Sequence, residues 1–345
     1  MASRDPVADL RRIAFLLEAA NEPTYRVRAF RTAMATVGRL APDELAERAR
    51  AGRLRELPGI GEVLERTIGE SLRGEEPVYL RRLEATGGRP VAEGAAALCA
   101  ALRGDAHVHS DWSDGGSPIE EMAEAARGLG HAWIVLTDHS PRLTVANGLS
   151  PERLRDQLEV VDRLNRELSP FRILAGIEVD INPDGTLDQE LALLERLDLV
   201  VGSVHSELRM PPGLMTRRLV TALANPHLDV LGHVTGRMVT GRRHRPPSEF
   251  DAEIVFAAAE RFDKAIEINS RPERLDPPKR LLRLAVEAGC RFAIDSDAHA
   301  PGQLAWQPNG CERAFLCGVE AAAVVTTWDA DAVLAWTRRH RSGGT

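Results

Sequence analysis

From residue 103 onward the chain repeats one unit seven times: a short apolar run that ends in polar residues with metal-binding groups among them. The runs are RGDAHVHS, AWIVLTDHS, FRILAGIEVD, LDLVVGSVHS, LDVLGHVTGR, KAIEINSRP and RFAIDSDAH. Segments with helical spacing follow the first six, from SPIEEMAEAARGLGH to PPKRLLRLAVEAGC. Apolar runs that alternate with helices give a parallel sheet covered by those helices. Seven such units are enough to close a barrel, and a barrel builds its active site at the C-terminal ends of its strands.

The groups at those ends are His107, His109, Asp114, His139, Glu178, His205, His233, Asp297 and His299, which include six of the ten histidines. His107 and His109 are two residues apart, so on a strand both face the same way, as do Asp297 and His299. Glu178 closes the apolar run LAGIEVD, where a carboxylate is costly to bury unless it is paired or bound to metal. Imidazole and carboxylate together suit zinc, manganese or iron. Nine donors exceed the needs of one ion, so two or three divalent ions are expected. Ions that close together can clamp the attacking and leaving oxygens of a phosphoester. His131, His227, His244 and His340 fit no strand end and read as structural or surface residues.

The formal charge of -7 over 345 residues advertises no global attraction to nucleic acid. The charge is uneven: residues 1–90 hold 16 Arg against 14 Asp plus Glu, and the remainder is acidic. Cys99, Cys290, Cys311 and Cys317 lack C-x-x-C spacing and are expected to be reduced in a cytoplasmic protein. No stretch has the apolar length of a membrane span, the N-terminus has no secretory signal, and a monomer is expected.

Residues 1–85 read as an all-helical domain, with LPGIGEVLERTIGE forming a helix, a tight turn at Pro58, Gly59, Ile60 and Gly61, and a second helix. Residues 86–102, with Gly87, Gly88 and Pro90, are the expected linker, although the second half could be helical. The barrel is expected over 103–337 and a disordered tail over 338–345.

The blocks HVHSDWSDG, LTDHS, GIEVDI, SVHS, GHVTGR, EINSRPERLD and DSDAH resemble, in order, the motifs of the PHP (polymerase and histidinol phosphatase) superfamily. That resemblance implies a distorted seven-stranded β/α barrel with a trinuclear site of Zn²⁺ or Mn²⁺, with Fe²⁺ a further choice. It carries metal-ligand roles onto the nine residues above. Of these, His107, His109, His139, Glu178, His205 and Asp297 are expected to sustain hydrolysis. Asp114 departs from the pattern, since other members place a histidine near this point. Asp105 and Asp138 are candidate orienters of the ligand histidines. Arg237 and Arg271 are candidate clamps for the substrate phosphate.

Residues 6–84 resemble the N-terminal helix-hairpin-helix domain of family X DNA polymerases. That likeness implies DNA-phosphate contacts by Pro58, Gly59, Ile60 and Gly61 and a basic helix bearing Arg26, Arg28 and Arg31. Relatives with lyase activity use a lysine where this chain has Thr67, and residues 1–100 contain no lysine, which argues against Schiff-base chemistry. Between the two domains there is no room for a polymerase palm. Three functions are therefore in competition. One is a phosphoesterase acting on DNA ends or damaged DNA, as a 3′–5′ exonuclease, 3′-phosphatase or abasic-site endonuclease. The second is a small-molecule phosphatase of the histidinol-phosphatase type. The third is a binding adaptor with a vestigial barrel.

Overall fold

The computed structural model describes residues 4–86, 92–240 and 244–342. The chain divides into two compact units, Met1–Pro90 and Val91–Thr345.

The first unit is built from α1 (Pro6–Ala19), α2 (Thr24–Gly38), α3 (Pro42–Arg50), α4 (Glu62–Leu72) and α5 (Val78–Thr86). The helix starts follow their sequence signals. Asp5 caps α1 by accepting the Val7 N–H at 2.9 Å, with Pro6 just inside. Helix α3 opens with Pro42, Asp43 and Glu44 and closes with Arg48 and Arg50, matching charge to the helix dipole. Leu10, Ile13, Leu17, Phe30, Leu64 and Ile68 share one core with Ile60 of the hairpin. The segment before the hairpin turn is only a short 3₁₀ turn, Leu54–Glu56, rather than a full helix.

The second unit begins with α6 (Glu93–Ala101) and continues through seven strands: β1 (Gly104–Val108), β2 (Trp133–Leu136), β3 (Arg172–Asp180), β4 (Leu199–Ser203), β5 (Val230–Leu231), β6 (Ala265–Asn269) and β7 (Arg291–Asp295). Between them lie α7 (Ile119–Gly128), α8 (Pro151–Leu168), α9 (Leu191–Leu194), α10 (Pro212–Leu223), α11 (Ala252–Arg261) and α12 (Lys279–Glu287). Helices α13 (Gln307–Leu316) and α14 (Ala330–Arg341) complete it. The strands pair in chain order and in parallel, β1 to β7. A bridge between Val108 and Ala298 brings the two edges together, so the barrel is nearly closed. Inside it, Ala106, Val135, Leu174, Val201, Val230, Ala265 and Ala293 pack with Val333 and Trp336 of α14. Helix α14 therefore plugs the end where the strands begin, and the opposite end is left for chemistry.

The second half of the segment expected as linker is helix α6, and its Leu98 enters the core shared by α10 to α13. A Cβ at Gly94 would lie 2.1 Å from the Phe315 ring, which shows how closely α6 packs on α13. The glycines and proline at 87, 88 and 90 lie outside the described residues. The tail expected from 338 is helical through Arg341, because His340 and Arg341 bind buried acceptors: His340 Nδ1 is 2.7 Å from Asp229 and Arg341 Nη2 is 3.3 Å from it. Residues 343–345 of that expected tail lie outside the described residues.

Candidate metal centre

The parallel strands end on one side of the barrel, and their ends bring all nine predicted residues together. His107 is on β1 and His109 lies just beyond it, with ring centroids 5.0 Å apart. His139 follows β2 and bridges to Glu178 on β3. His205, His233 and Asp297 each sit two residues past the last residue of β4, β5 and β7, in the loops that leave the strand ends. Asp297 has a left-handed backbone (φ 53°), an unusual conformation for a non-glycine residue and one that clusters at functional sites.

Glu178 is the hub. Its Oε1 lies 3.3 Å from His205 Nε2 and 3.0 Å from His233 Nε2. Its Oε2 lies 3.4 Å from His107 Nε2, 3.7 Å from His109 Nε2 and 2.7 Å from His139 Nδ1. Asp297 Oδ1 lies 3.5 Å from His109 Nε2 and 3.6 Å from His299 Nδ1. Asp114 Oδ1 lies 3.5 Å from His139 Nε2 and 3.4 Å from His299 Nε2, so the aspartate that departs from the family pattern still faces the cluster. Its loop folds back tightly: Gly115 N–H donates to Ser110 O at 2.9 Å, and a Cβ there would lie 2.6 Å from that carbonyl.

These residues fit divalent ions. Two donors each about 2.1 Å from one tetrahedral ion stand roughly 3.4 Å apart, which is the spacing seen between these side chains. His107 Nε2, both ring nitrogens of His109 and of His205, His139 Nδ1 and Glu178 Oε2 are buried without hydrogen-bond partners. So many unsatisfied buried polar atoms in one place mark a site built for ions. Among the described residues four sets of donors lie within 4.8 Å of one another: His109, Asp114, His139 and His299; His107, His109 and Asp297; His139, Glu178 and His205; and, behind the nine, His107, Glu267 and Asp295. Burial first, then the neighbouring His299 and His139, hold His109 well below the ordinary imidazole range, in the neutral form that binds metal. Burial pushes Asp114 up, but its contacts with His299 and the other imidazoles pull it below the usual carboxylate range.

The candidate helpers fare differently. Asp105 and Asp138 do not touch the ligand rings. Asp105 accepts from the His107 backbone at 3.1 Å and from Ser296 Oγ at 2.6 Å. Asp138 accepts from Ser110 Oγ, Ser113 Oγ and Gln157 Nε2 at 2.6, 2.5 and 2.7 Å. Both fasten backbone segments that carry ligands. Arg237 donates through Nε to Arg274 O at 3.0 Å and through Nη2 to Leu275 O. Its guanidinium thus ties down the loop that carries Arg274. Arg271 does reach the centre: Nη1 is 3.2 Å from His299 Nδ1, and the guanidinium lies over Trp306 at 5.9 Å.

Three residues near the centre escaped the sequence reading. Arg274 Nε is 3.0 Å from Asp297 Oδ2, and both Nε and Nη1 are buried without hydrogen-bond partners. Glu267 and Asn269 are fully buried on β6. Glu267 sits inside the apolar run AIEIN, so the burial argument that singles out Glu178 applies to it equally.

In the first unit Arg26 is bound by Glu22 at 2.5 Å and by Tyr79 Oη at 2.8 Å, and Arg31 by Glu18 at 2.9 and 3.0 Å. Arg28 instead lines an open cavity of about 560 Å³ with Thr24, Tyr25, Ala29, Thr32 and Gly59. At the hairpin, Gly59 has φ 79°, Ile60 is buried, and Pro58 and Gly61 are exposed. Thr67 is buried and donates to Val63 O at 2.8 Å.

A nearly closed parallel barrel that gathers imidazole and carboxylate donors at its strand ends defines a metal-dependent hydrolase. Residues 105–271 match the PHP domain, and residues 1–76 match a helix-hairpin-helix domain. Seven of the nine donors lie inside the PHP match; Asp297 and His299 lie beyond it. The DNA polymerase/3′-5′ exonuclease PolX of Bacillus subtilis (strain 168) is 44% identical over 198 residues, which are 57% of this chain and 34% of that protein. The chain thus spans about a third of that relative's length. A probable phosphatase of Caldicellulosiruptor saccharolyticus is 31% identical over 52% of this chain and 73% of its own. A probable phosphatase of Thermoanaerobacter sp. (strain X514) is 31% identical over 56% of this chain and 78% of its own. The chain belongs to the PHP family of metal-dependent phosphoesterases, with an N-terminal helix-hairpin-helix domain. Among the described residues, no helix is long and apolar enough to cross a membrane.

Proposed function

We propose that the phosphoester this enzyme hydrolyses is at a DNA 3′ end, and that the nine strand-end donors are ligands of two or three Zn²⁺ or Mn²⁺ ions. The observation that carries this reading is the pairing, in one chain, of the barrel centre with a hairpin unit that exposes Tyr25 and Arg28 beside Gly59. The 3′-5′ exonuclease in the name of the B. subtilis relative supports it. A division of the chain near residue 90 accords with this division of labour.

His107, His109 and Asp297 would hold one ion, Asp114, His139 and His299 another, and His205 and His233 a third, with Glu178 shared among them. Ions bound there would supply Lewis-acid polarisation of the phosphoryl group and a nucleophilic water at neutral pH. Arg271 and Arg274 bring two guanidinium groups against Asp297 and His299, and such groups bind phosphate oxygens in pairs. Arg237 keeps the loop carrying Arg274 in place through its two carbonyl contacts. In the hairpin unit, Tyr25 offers a ring for base stacking and Arg28 a cation for the backbone.

A second reading, hydrolysis of a small phosphate ester, draws on the pairing of Arg26 and Arg31 with acids, which leaves Arg28 as the arginine of that basic helix facing the cavity. One experiment separates the two readings. Native protein and His107→Ala are given a 3′-recessed duplex, an abasic duplex and histidinol phosphate, with Mn²⁺ or Zn²⁺ added and with rising salt. Cleavage of DNA that is lost in the variant and weakens steeply with salt is the expected result. Turnover of histidinol phosphate alone would transfer the assignment to the second reading.

A further inference from the structure

Strand β6 sends no residue into the nine-donor cluster, yet two of its side chains reach three of the strands that do. Glu267 Oε1 is 2.6 Å from His107 Nδ1 on β1. Its Oε2 accepts the backbone N–H of His233, past β5, and the Asn269 side-chain amide at 3.3 Å. The same amide is 3.0 Å from Asp297 Oδ2, past β7. Glu267 and Asn269 are two residues apart on one strand, so both point to the same face.

We propose that Glu267 is the positioning carboxylate of the metal centre, and that Asn269 extends its frame to Asp297. This rests on the metal-centre reading above. A neutral imidazole carries one N–H, and a carboxylate 2.6 Å from Nδ1 keeps that proton on Nδ1. The lone pair is then on Nε2, the atom that faces Glu178 Oε2 at 3.4 Å and has no hydrogen-bond partner. Glu267 thus sits behind His107, on the side away from the other donors, with N–H groups at both of its oxygens. Such outer contacts fix ring orientation and raise the basicity of the ligand. Through its second oxygen the same carboxylate fixes the main chain that aims His233, so one side chain sets two ligands.

The test has two parts. In native protein labelled with ¹⁵N-histidine, the His107 signals, assigned by their absence in His107→Ala, report the tautomer directly. The proposal requires protonated Nδ1 and unprotonated Nε2 in the Zn²⁺-loaded protein; a proton on Nε2 there overturns it. Zn²⁺ titration of native protein, Glu267→Gln and His107→Ala, followed by equilibrium dialysis and metal analysis, is the second part. Glu267→Gln should weaken the tightest affinity by about 10- to 100-fold while the number of ions bound at saturation is unchanged. Affinity within twofold of native overturns the proposal, as does loss of a whole ion at saturation, which would make Glu267 a ligand. If His107→Ala binds as many ions as tightly as native protein, the metal-centre reading itself fails. The tautomer measurement needs no Glu267 variant to fold.

Discussion

At the residue scale the centre depends on one carboxylate. Glu178 faces five histidines with its two oxygens, and an amide in its place would keep one donor oxygen, lose the other and carry no charge. Glu178→Gln should lower phosphoester turnover by about 100-fold or more and remove at least one bound ion, as read by steady-state kinetics and metal analysis. Away from the centre, His131 is held down to about 4, from 6.5, by burial, and its Nδ1 has no hydrogen-bond partner. The charged form is disfavoured in the folded state, so above 6.5 the group contributes nothing to the pH dependence. As pH falls from 6.5 to about 4, the unfolded chain takes up a proton that the folded chain refuses, and stability declines across that window. His131→Gln should therefore lose less stability than native protein between pH 7 and pH 5 in urea unfolding. The nine donors were legible because each follows an apolar run. Glu267 carried the same signal as Glu178, a carboxylate inside an apolar run, but its role and that of Arg274 are set by neighbours from β1, β5 and β7.

At the element scale, helix α14 seals the barrel opposite the metal centre. Asp229 is fully buried and is held by His340, Arg341 and the Val200 N–H at 2.7, 3.3 and 2.9 Å. Ending the chain after Thr337 would strip two of those partners from a buried carboxylate. Unfolding free energy should then fall by about 3 kcal/mol or more, measured by urea denaturation of metal-free protein. Composition misleads at this helix: RRHR looks like a solvated tail, but Asp229 and the carbonyls of Leu197, Asp198 and Asp263 supply it with acceptors. The same lesson holds for α6, where small residues suggest a linker yet permit the close approach of Phe315 to Gly94. Strands and covering helices were legible from their periods, whereas Leu54–Glu56, expected as a helix, keeps only one 3₁₀ turn before Pro58.

For the whole molecule, the proposed function divides DNA binding from hydrolysis. Arg28→Ala should weaken DNA binding, reduce the salt slope by about one phosphate contact, and leave hydrolysis of p-nitrophenyl phosphate unchanged, as followed by fluorescence anisotropy and absorbance. Arg26→Ala should alter the salt slope less, because Glu22 and Tyr79 already hold that side chain. The sequence by itself determined the barrel and the identity of its strand-end donors. Continuous short apolar runs are buried along their whole length, and parallel pairing in chain order leaves all their ends on one side. It also determined the helix-hairpin-helix unit, through the glycine turn at 59. Only the tertiary structure decided which arginines are available and which carboxylate positions a ligand. Hydrogen-bond partners come from residues distant in the chain, so Arg237, Arg26 and Arg31 are bound elsewhere while Arg271, Arg274 and Glu267 stand at the centre.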